Sequence, residues 1–209
     1  EAAFMSSVFE QRPLLFPASK GSRDRLGALT ALPTRQSLDK VLSGLEATGI
    51  GFQWGVDVNA MRYLYGGRDS PSQADAGGLV RRKALWKLFD GLGYTLQMHQ
   101  PQRFDDGLHR LCFALERRFG CLVGSNAYLT PPASQGLAPH FDDVEIFVVQ
   151  TEGQKRWKLY APPAGWELAN FHSRDLSEEE LGPPILDVTL RPGDVLYMPR
   201  GTVHQAAAQ

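Results

Sequence analysis

Cysteine is scarce: Cys112 and Cys121 are two in 209 residues, and neither stands in a Cys-x-x-Cys pair. That excludes a disulfide framework and a zinc-type cysteine cluster, leaving two reduced thiols as the expectation. Long apolar runs are missing as well, and none approaches the roughly 20 residues that span a bilayer as a helix. Neither sign of charge is in excess, with 22 Lys and Arg against 23 Asp and Glu and a net charge of −1. Bulk electrostatics therefore points to no polyelectrolyte partner. No internal repeat, low-complexity tract or Ser-His-Asp arrangement is visible, and the glycine of CLVGSN lacks the spacing of a phosphate loop. No signal peptide opens the chain, but it does not begin with Met and it stops five residues past His204. It reads as a piece of a longer protein, so missing targeting segments exclude little.

What is present divides the chain by period. The length suits one core with an appendage. In the front half, apolar residues recur at helical spacing. Phe4, Met5, Val8 and Phe9 make one such set, followed by Leu14-Leu15-Phe16 as a short strand. Gly, Ser and charge between Ser19 and Ala31 predict a loop. Thr34 is a candidate N-cap for a helix that presents Leu38, Val41, Leu42 and Leu45 and ends before Gly49. Phe52 to Val58 reads as a strand and Gly66 to Gly78 as a polar loop. Leu85, Leu88, Phe89 and Leu92 predict a second amphipathic helix stopped by Gly93, after which Tyr94, Leu96 and Met98 alternate as in a strand. Asp105 and Asp106 mark a third helix start, with Leu108, Leu111, Cys112, Leu115 and Phe119 on its buried side and Gly120 at its end.

From Cys121 the period falls from 3.6 to 2. LVGSNAYLT, HFDDVEIFVVQ, KRWKLY, ILDVTL, VLYMP and VHQAAA read as strands. Turns at Thr151–Gln154 and Arg191–Asp194 separate them. The expectation is α+β: a mainly helical N-terminal part, residues 1–100, followed by a double-sheet jelly roll, residues 101–209.

The second half holds His140-Phe141-Asp142, answered by His204 near the end of the chain. Residues two apart on a strand share a face, so His140 and Asp142 are expected on one side, with Val144, Ile146 and Val148 continuing it inward. A lone His-x-Asp is more often a hydrogen-bonded pair than a ligand set. Unpaired burial at the end of an apolar face, however, would cost several kcal/mol, roughly the transfer cost of polar groups, and a metal removes that cost. PGDVLYMPRGTVH then supplies a turn, a strand and a tight turn that deliver His204 to a barrel mouth. Two histidines and one carboxylate on one side of a metal suit non-haem Fe(II) and leave positions open for oxygen chemistry.

Lys155, Trp157 and Leu159 share a face, while Arg156 and Lys158 take the other. Lys155 either snorkels or pairs with an acid inside the barrel, and a dicarboxylate cosubstrate is one such acid. Asn126 and Tyr128, again two apart, are candidates for added hydrogen bonds; on spacing alone they read equally as ordinary strand residues. Asp143 and Glu145 point away from the metal face, as support or surface. His99, His109 and His172 lack a comparable partner pattern, and of these His172 lies in a long loop that could border the site. A metal-silent jelly roll that binds a partner would be expected to have lost a ligand or the lysine, and all four are present. Cupin isomerases more often use three histidines plus a carboxylate.

NAYLTPPASQGLAPHFDDVEIFVVQTEGQKRWKLY, with RPGDVLYMPRGTVHQA downstream, closely resembles the JmjC-domain ribosomal oxygenases of the nucleus and nucleolus. These are Fe(II)- and 2-oxoglutarate-dependent protein hydroxylases. The resemblance runs from about Cys121 to the end and extends more weakly to QRPLLF and FQWGVDVNAMRYLYGGR. It implies a double-stranded β-helix (a cupin- and JmjC-like jelly roll) with His140, Asp142 and His204 as the catalytic iron ligands. It implies that Lys155 binds the distal carboxylate of 2-oxoglutarate, with Asn126 and Tyr128 in the cosubstrate pocket and dioxygen as the co-reactant. The implied target is a histidyl residue of a large-subunit ribosomal protein, with demethylation of a histone lysine as the alternative. Nuclear or nucleolar location is implied too. The resemblance further implies a homodimer formed through a helical region which, with the last jelly-roll strand and a winged-helix domain, would follow Gln209. No direct nucleic-acid signal and no membrane segment belong to this reading. Substrate contacts are expected around Arg62, Tyr63 and the 66–78 loop.

Overall fold

Residues 2–19, 34–71 and 78–209 are described by the computed structural model. The loop expected after Ser19 falls, from residue 20 onward, outside the described residues, as does the middle of the expected 66–78 loop.

Capping chemistry sets the helix ends. After α1 (Ala2–Ser7) and β1 (Leu14–Phe16) comes α2 (Arg35–Thr48). Here the Thr34 hydroxyl accepts from the Ser37 amide while the Ser37 hydroxyl accepts from the Thr34 amide. This reciprocal cap satisfies donors that a helix N-terminus leaves over. The next helix, α3 (Arg82–Trp86), passes into a π-helical turn over Lys87–Gly91. Leu85, Leu88 and Phe89 are buried as expected, but the wider turn rotates Leu92 out of that face, leaving it 46 % exposed. The Asp105 carboxylate accepts from the Leu108 amide and starts α4 (Asp106–Phe119), which ends at Gly120.

The remaining strands are β2 (Val58–Leu64), β3 (Gly67–Asp69), β4 (Thr95–His99), β5 (Asn126–Leu129), β6 (Ile146–Val149), β7 (Lys155–Tyr160), β8 (Leu186–Leu190), β9 (Val195–Met198) and β10 (Val203–Ala208). They form three antiparallel sheets, ordered β3-β2-β4-β5, β1-β9-β6 and β10-β7-β8. Two of these pack face to face: Leu159 and Leu190 from one sheet meet Leu196 and Met198 from the other, with Ile146, Val148 and Trp157 alongside. That sandwich is the jelly roll, and the chain is α+β as its two periods predict. A second core lies between the helices and the third sheet, where Leu38, Leu42, Phe52, Val58, Leu85 and Leu96 pack together. Each fully buried side chain of this kind stabilises the fold by about 1.5–3 kcal/mol.

Several expected strands are shorter than their apolar pattern. Between Phe52 and Val58 the chain makes isolated bridges at Gln53 and Trp54 and then turns, because the Asp57 carboxylate accepts from the Gln53 amide at 2.8 Å. The expected 66–78 loop begins instead as a hairpin strand, β3. LVGSNAYLT is strand only from Asn126, and Leu122 is exposed. HFDDVEIFVVQ is strand only from Ile146. His140 makes a single backbone rung with His204, each amide donating to the other's carbonyl at 3.1 and 2.8 Å. Beyond it, Phe141 exchanges hydrogen bonds with Ser173 instead of a neighbouring strand. Val144 consequently does not continue an inward face and is 56 % exposed, whereas Ile146 and Val148 do pack inward.

Candidate metal centre

Three segments bring the site together. Phe141, fully buried with Tyr160, Ala169, Leu176 and Val203, anchors its segment of chain so that its two neighbours face the other way. The tight turn before β10 is set by Gly201, whose φ of 82° favours glycine and whose added Cβ would lie 2.8 Å from the Trp166 carbonyl. Its amide donates to the Asp142 carbonyl at 2.9 Å, so the turn that presents His204 also holds the aspartate's backbone.

His140, Asp142 and His204 thus converge, with one ligand atom from each lying within 4.8 Å of the others. The His140 Nε2 lies 3.9 Å and the His204 Nε2 3.6 Å from Asp142 Oδ2. Both are beyond hydrogen-bond distance. The other ring nitrogens explain why. His140 Nδ1 is 2.8 Å from the Ala138 carbonyl and His204 Nδ1 is 3.0 Å from the Thr202 carbonyl. A carbonyl accepts only, so each Nδ1 carries a proton, and in a neutral ring that leaves the lone pair on Nε2. Burial pushes the His204 pKa down to about 4, and the neighbouring His140 adds to the effect, so the ring is neutral at physiological pH. The neutral His204 ring thus turns its Nε2 toward the Asp142 carboxylate and the His140 ring. Such a donor set fits a divalent cation, and two histidines with one carboxylate are the ligands of non-haem Fe(II) sites.

Beside the triad, Lys155 extends from the start of β7 and donates from Nζ to the Thr130 hydroxyl at 2.9 Å. Its side chain is half-buried, yet the protein packed around the ammonium lowers its pKa to about 8 by desolvation. Asn126 and Tyr128 take the exposed face of β5, opposite Ala127 and Leu129, which pack on the helical core. The Tyr128 phenol accepts from Gln97 Nε2 at 2.8 Å. Its pKa is raised to about 12, by desolvation first and then by the negative charge of Asp142. Trp157 links the lysine to the triad, its ring 5.8 Å from Lys155 Nζ and 6.0 Å from the His204 ring.

A JmjC domain model matches residues 97–209. The chain belongs to the JmjC family. Among related proteins it is 44 % identical over 203 residues to Ribosomal oxygenase 2 of Rattus norvegicus, covering 97 % of this chain and 41 % of that protein. It is 38 % identical over 205 residues to the bifunctional lysine-specific demethylase and histidyl-hydroxylase NO66 of Aedes aegypti, covering 98 % and 30 %. The chain thus spans less than half the length of these relatives. Among solved structures, the ribosomal oxygenase YcfD of Escherichia coli, in complex with cobalt and 2-oxoglutarate, superposes with a TM-score of 0.57 at 19 % identity. That match covers 99 % of this chain and 47 % of YcfD and shows a shared fold.

Within this JmjC fold, Thr130 beside the site escaped the sequence reading, while Glu145 takes the supporting role that was one of its two expected readings. Thr130 continues the Asn126, Tyr128 alternation by one more step, which was the signal available for it. Glu145, read as support or surface, accepts from the Tyr197 hydroxyl and, at 3.3 Å, from the Arg200 amide, bracing the turn that precedes His204. Arg62 is committed elsewhere, paired with Asp69 at 2.7 Å and stacked over Tyr94. His99 bonds Asn59, while His109 and His172 are exposed. Cys112 is buried, Cys121 exposed, and both are free thiols. No helix among the described residues is long and apolar enough to cross a membrane.

Proposed function

We propose that this chain is the catalytic part of an Fe(II)- and 2-oxoglutarate-dependent protein oxygenase that hydroxylates a histidyl residue of a large-subunit ribosomal protein. The observation that carries this reading is the convergence of two imidazoles and one carboxylate, with one ligand atom from each within 4.8 Å of the others. His140, Asp142 and His204 hold the iron. The bound metal would supply dioxygen activation coupled to decarboxylation of 2-oxoglutarate, one oxygen atom entering succinate and the other the product alcohol. Lys155 and Thr130 hold the distal carboxylate of the cosubstrate, and Asn126 and Tyr128 line its path.

A basic protein segment as substrate draws support from Glu178 and Glu179, acids near Tyr63; Asp175 beside them is already paired with Arg68. The names of the relatives supply the target class, and the NO66 relatives favour a second reading, lysine demethylation of a histone tail. Nuclear or nucleolar location, a homodimer formed through regions outside this chain and a division near residue 100 accompany the proposal. The sheet β3-β2-β4-β5 takes strands from both sides of that division.

The deciding experiment incubates the full-length protein with Fe(II), 2-oxoglutarate, large-subunit ribosomal proteins and methylated histone peptides, followed by mass spectrometry. One added oxygen on a histidine is the expected result. Loss of methyl groups from lysine would install the demethylase reading. Unconsumed 2-oxoglutarate with both substrates unchanged would leave a partner-binding module in place of an enzyme.

A further inference from the structure

We infer that Arg200 is a positioning residue for the metal centre. Its guanidinium fastens the loop 161–182 to the turn before His204, and that loop holds the segment carrying His140 and Asp142. The inference rests on the metal reading of the triad and deepens it. Residues 139–142 lie in no sheet and are held along both sides. On one side are the rung between His140 and His204 and the Gly201 amide on the Asp142 carbonyl. On the other, the Leu176 amide donates to the Pro139 carbonyl at 2.8 Å and the Ser173 amide to the Phe141 carbonyl at 2.9 Å. The Ser173 hydroxyl completes the exchange by accepting from the Phe141 amide at 2.9 Å. Two of the three ligands therefore stand where the loop sets them.

Arg200 fastens the near end of that loop, whose one regular element is the short 3-10 turn Glu178–Glu180. Its Nη1 donates to the Leu168 carbonyl at 2.6 Å and reaches the Ala169 carbonyl at 3.4 Å. Leu168 has a φ of 53°, in the left-handed region that side chains disfavour, so the guanidinium grips the loop at a strained residue. Gly201 brings the two backbones together at the same point, since an added Cβ would lie 3.3 Å from the Leu168 nitrogen and 3.2 Å from that of Ala169. The far side of the guanidinium is tethered in turn. Its Nη2 lies 3.4 Å from Glu10 Oε1 and its Nε 3.8 Å from Glu145 Oε1. Beneath the loop, the Phe141 ring packs against Trp166 and Phe171, with centroids 5.7 Å from each. A planar fork serves two carbonyls and two carboxylates at once, which the single ammonium of a lysine does not.

The test titrates Co(II) into the full-length protein and follows its visible absorption, which reports ligand geometry. In Arg200→Met and in Arg200→Lys the Kd should be about tenfold or more higher than in wild type, the range for groups that orient metal ligands, and the Co(II) band should change shape. A lowered unfolding midpoint with Kd and band as in wild type would make Arg200 an ordinary brace of the fold and overturn the inference. A second readout needs no variant. If the loop sets the ligands, metal binding must order the loop in return. Zn(II) added to wild type should therefore slow hydrogen exchange at the Ser173 and Leu176 amides beyond any change at the Leu85 amide of the helical core. Exchange at Ser173 and Leu176 that slows no more than at Leu85, in a protein that does bind Zn(II), overturns the positioning role and leaves the metal reading intact. A wild type that takes up neither metal overturns the metal reading itself.

Discussion

Two cores sit side by side in this chain, and they treat polar atoms in opposite ways. In the helical core around Leu85 and Leu96, the polar ends of aromatic residues leave the interior and are matched: Tyr94 donates to Asp69 and Trp86 to Asp39. In the sandwich core the inward face of one sheet carries Lys155, Trp157 and His204 among its leucines. Their lone pair, ammonium and N–H are matched incompletely or not at all by the protein. The first core holds the molecule together. The second gives up some stability to keep donors and acceptors available, the pattern that local rules break at functional sites.

That contrast breaks most sharply at the triad. Asp142→Ala should reduce iron-dependent turnover to the metal-free background while the far-ultraviolet spectrum and cooperative unfolding persist. Turnover at the wild-type level in this variant would end the metal assignment. The mirror experiment is Leu96→Ala in the helical core, fully buried among apolar neighbours. Denaturant unfolding should show a loss of about 2–5 kcal/mol with metal affinity unchanged. An altered metal Kd would mean that the two cores are coupled and not merely adjacent.

Lys155 sharpens the comparison because both its stability and its binding depend on pH. Burial holds its folded-state pKa near 8, below the ordinary 10.5. Between those values the unfolded chain binds the proton and the folded chain does not, so the residue's contribution to stability rises with pH through that window. Below it, the buried ammonium is unfavourable, and Lys155→Met should raise the unfolding midpoint at pH 7. Affinity for 2-oxoglutarate runs the other way. A carboxylate needs the charged lysine, so the wild-type Kd should climb as pH passes about 8, and the Met variant should bind weakly and without that inflection. The smallest effect belongs to the surface. Arg174 and Glu180 pair at 2.5 Å but are exposed, and Arg174→Ala should leave turnover and Tm where they were.

Periodicity served the helices and the central sandwich strands well, because Thr34, Asp105, Gly49 and Gly120 are caps whose chemistry is local. It failed where a side chain captures the backbone: Asp57 closes a turn inside an apolar run, and Ser173 replaces a strand beside Phe141. The same failure explains a site reached by a partly mistaken route. His140 and Asp142 share a direction, yet not because a strand carries both; a single backbone rung and the Gly201 contact place them. Thr130 was within reach of the alternation rule. For Glu145 alternation gave the supporting role but not its partners, Tyr197 and Arg200, which arrive from another strand and turn.

The backbone rung joining His140 to His204 sets an order of events during synthesis. Contacts between segments so distant along the chain close late. A nascent chain that has released only as far as β9 already exposes His140 and Asp142, but it lacks both the third donor and the rung that fixes where His140 sits. Iron offered at that moment meets a loose two-donor peptide. The three donors stand together only once β10 has been laid beside β7 and His204 has paired with His140.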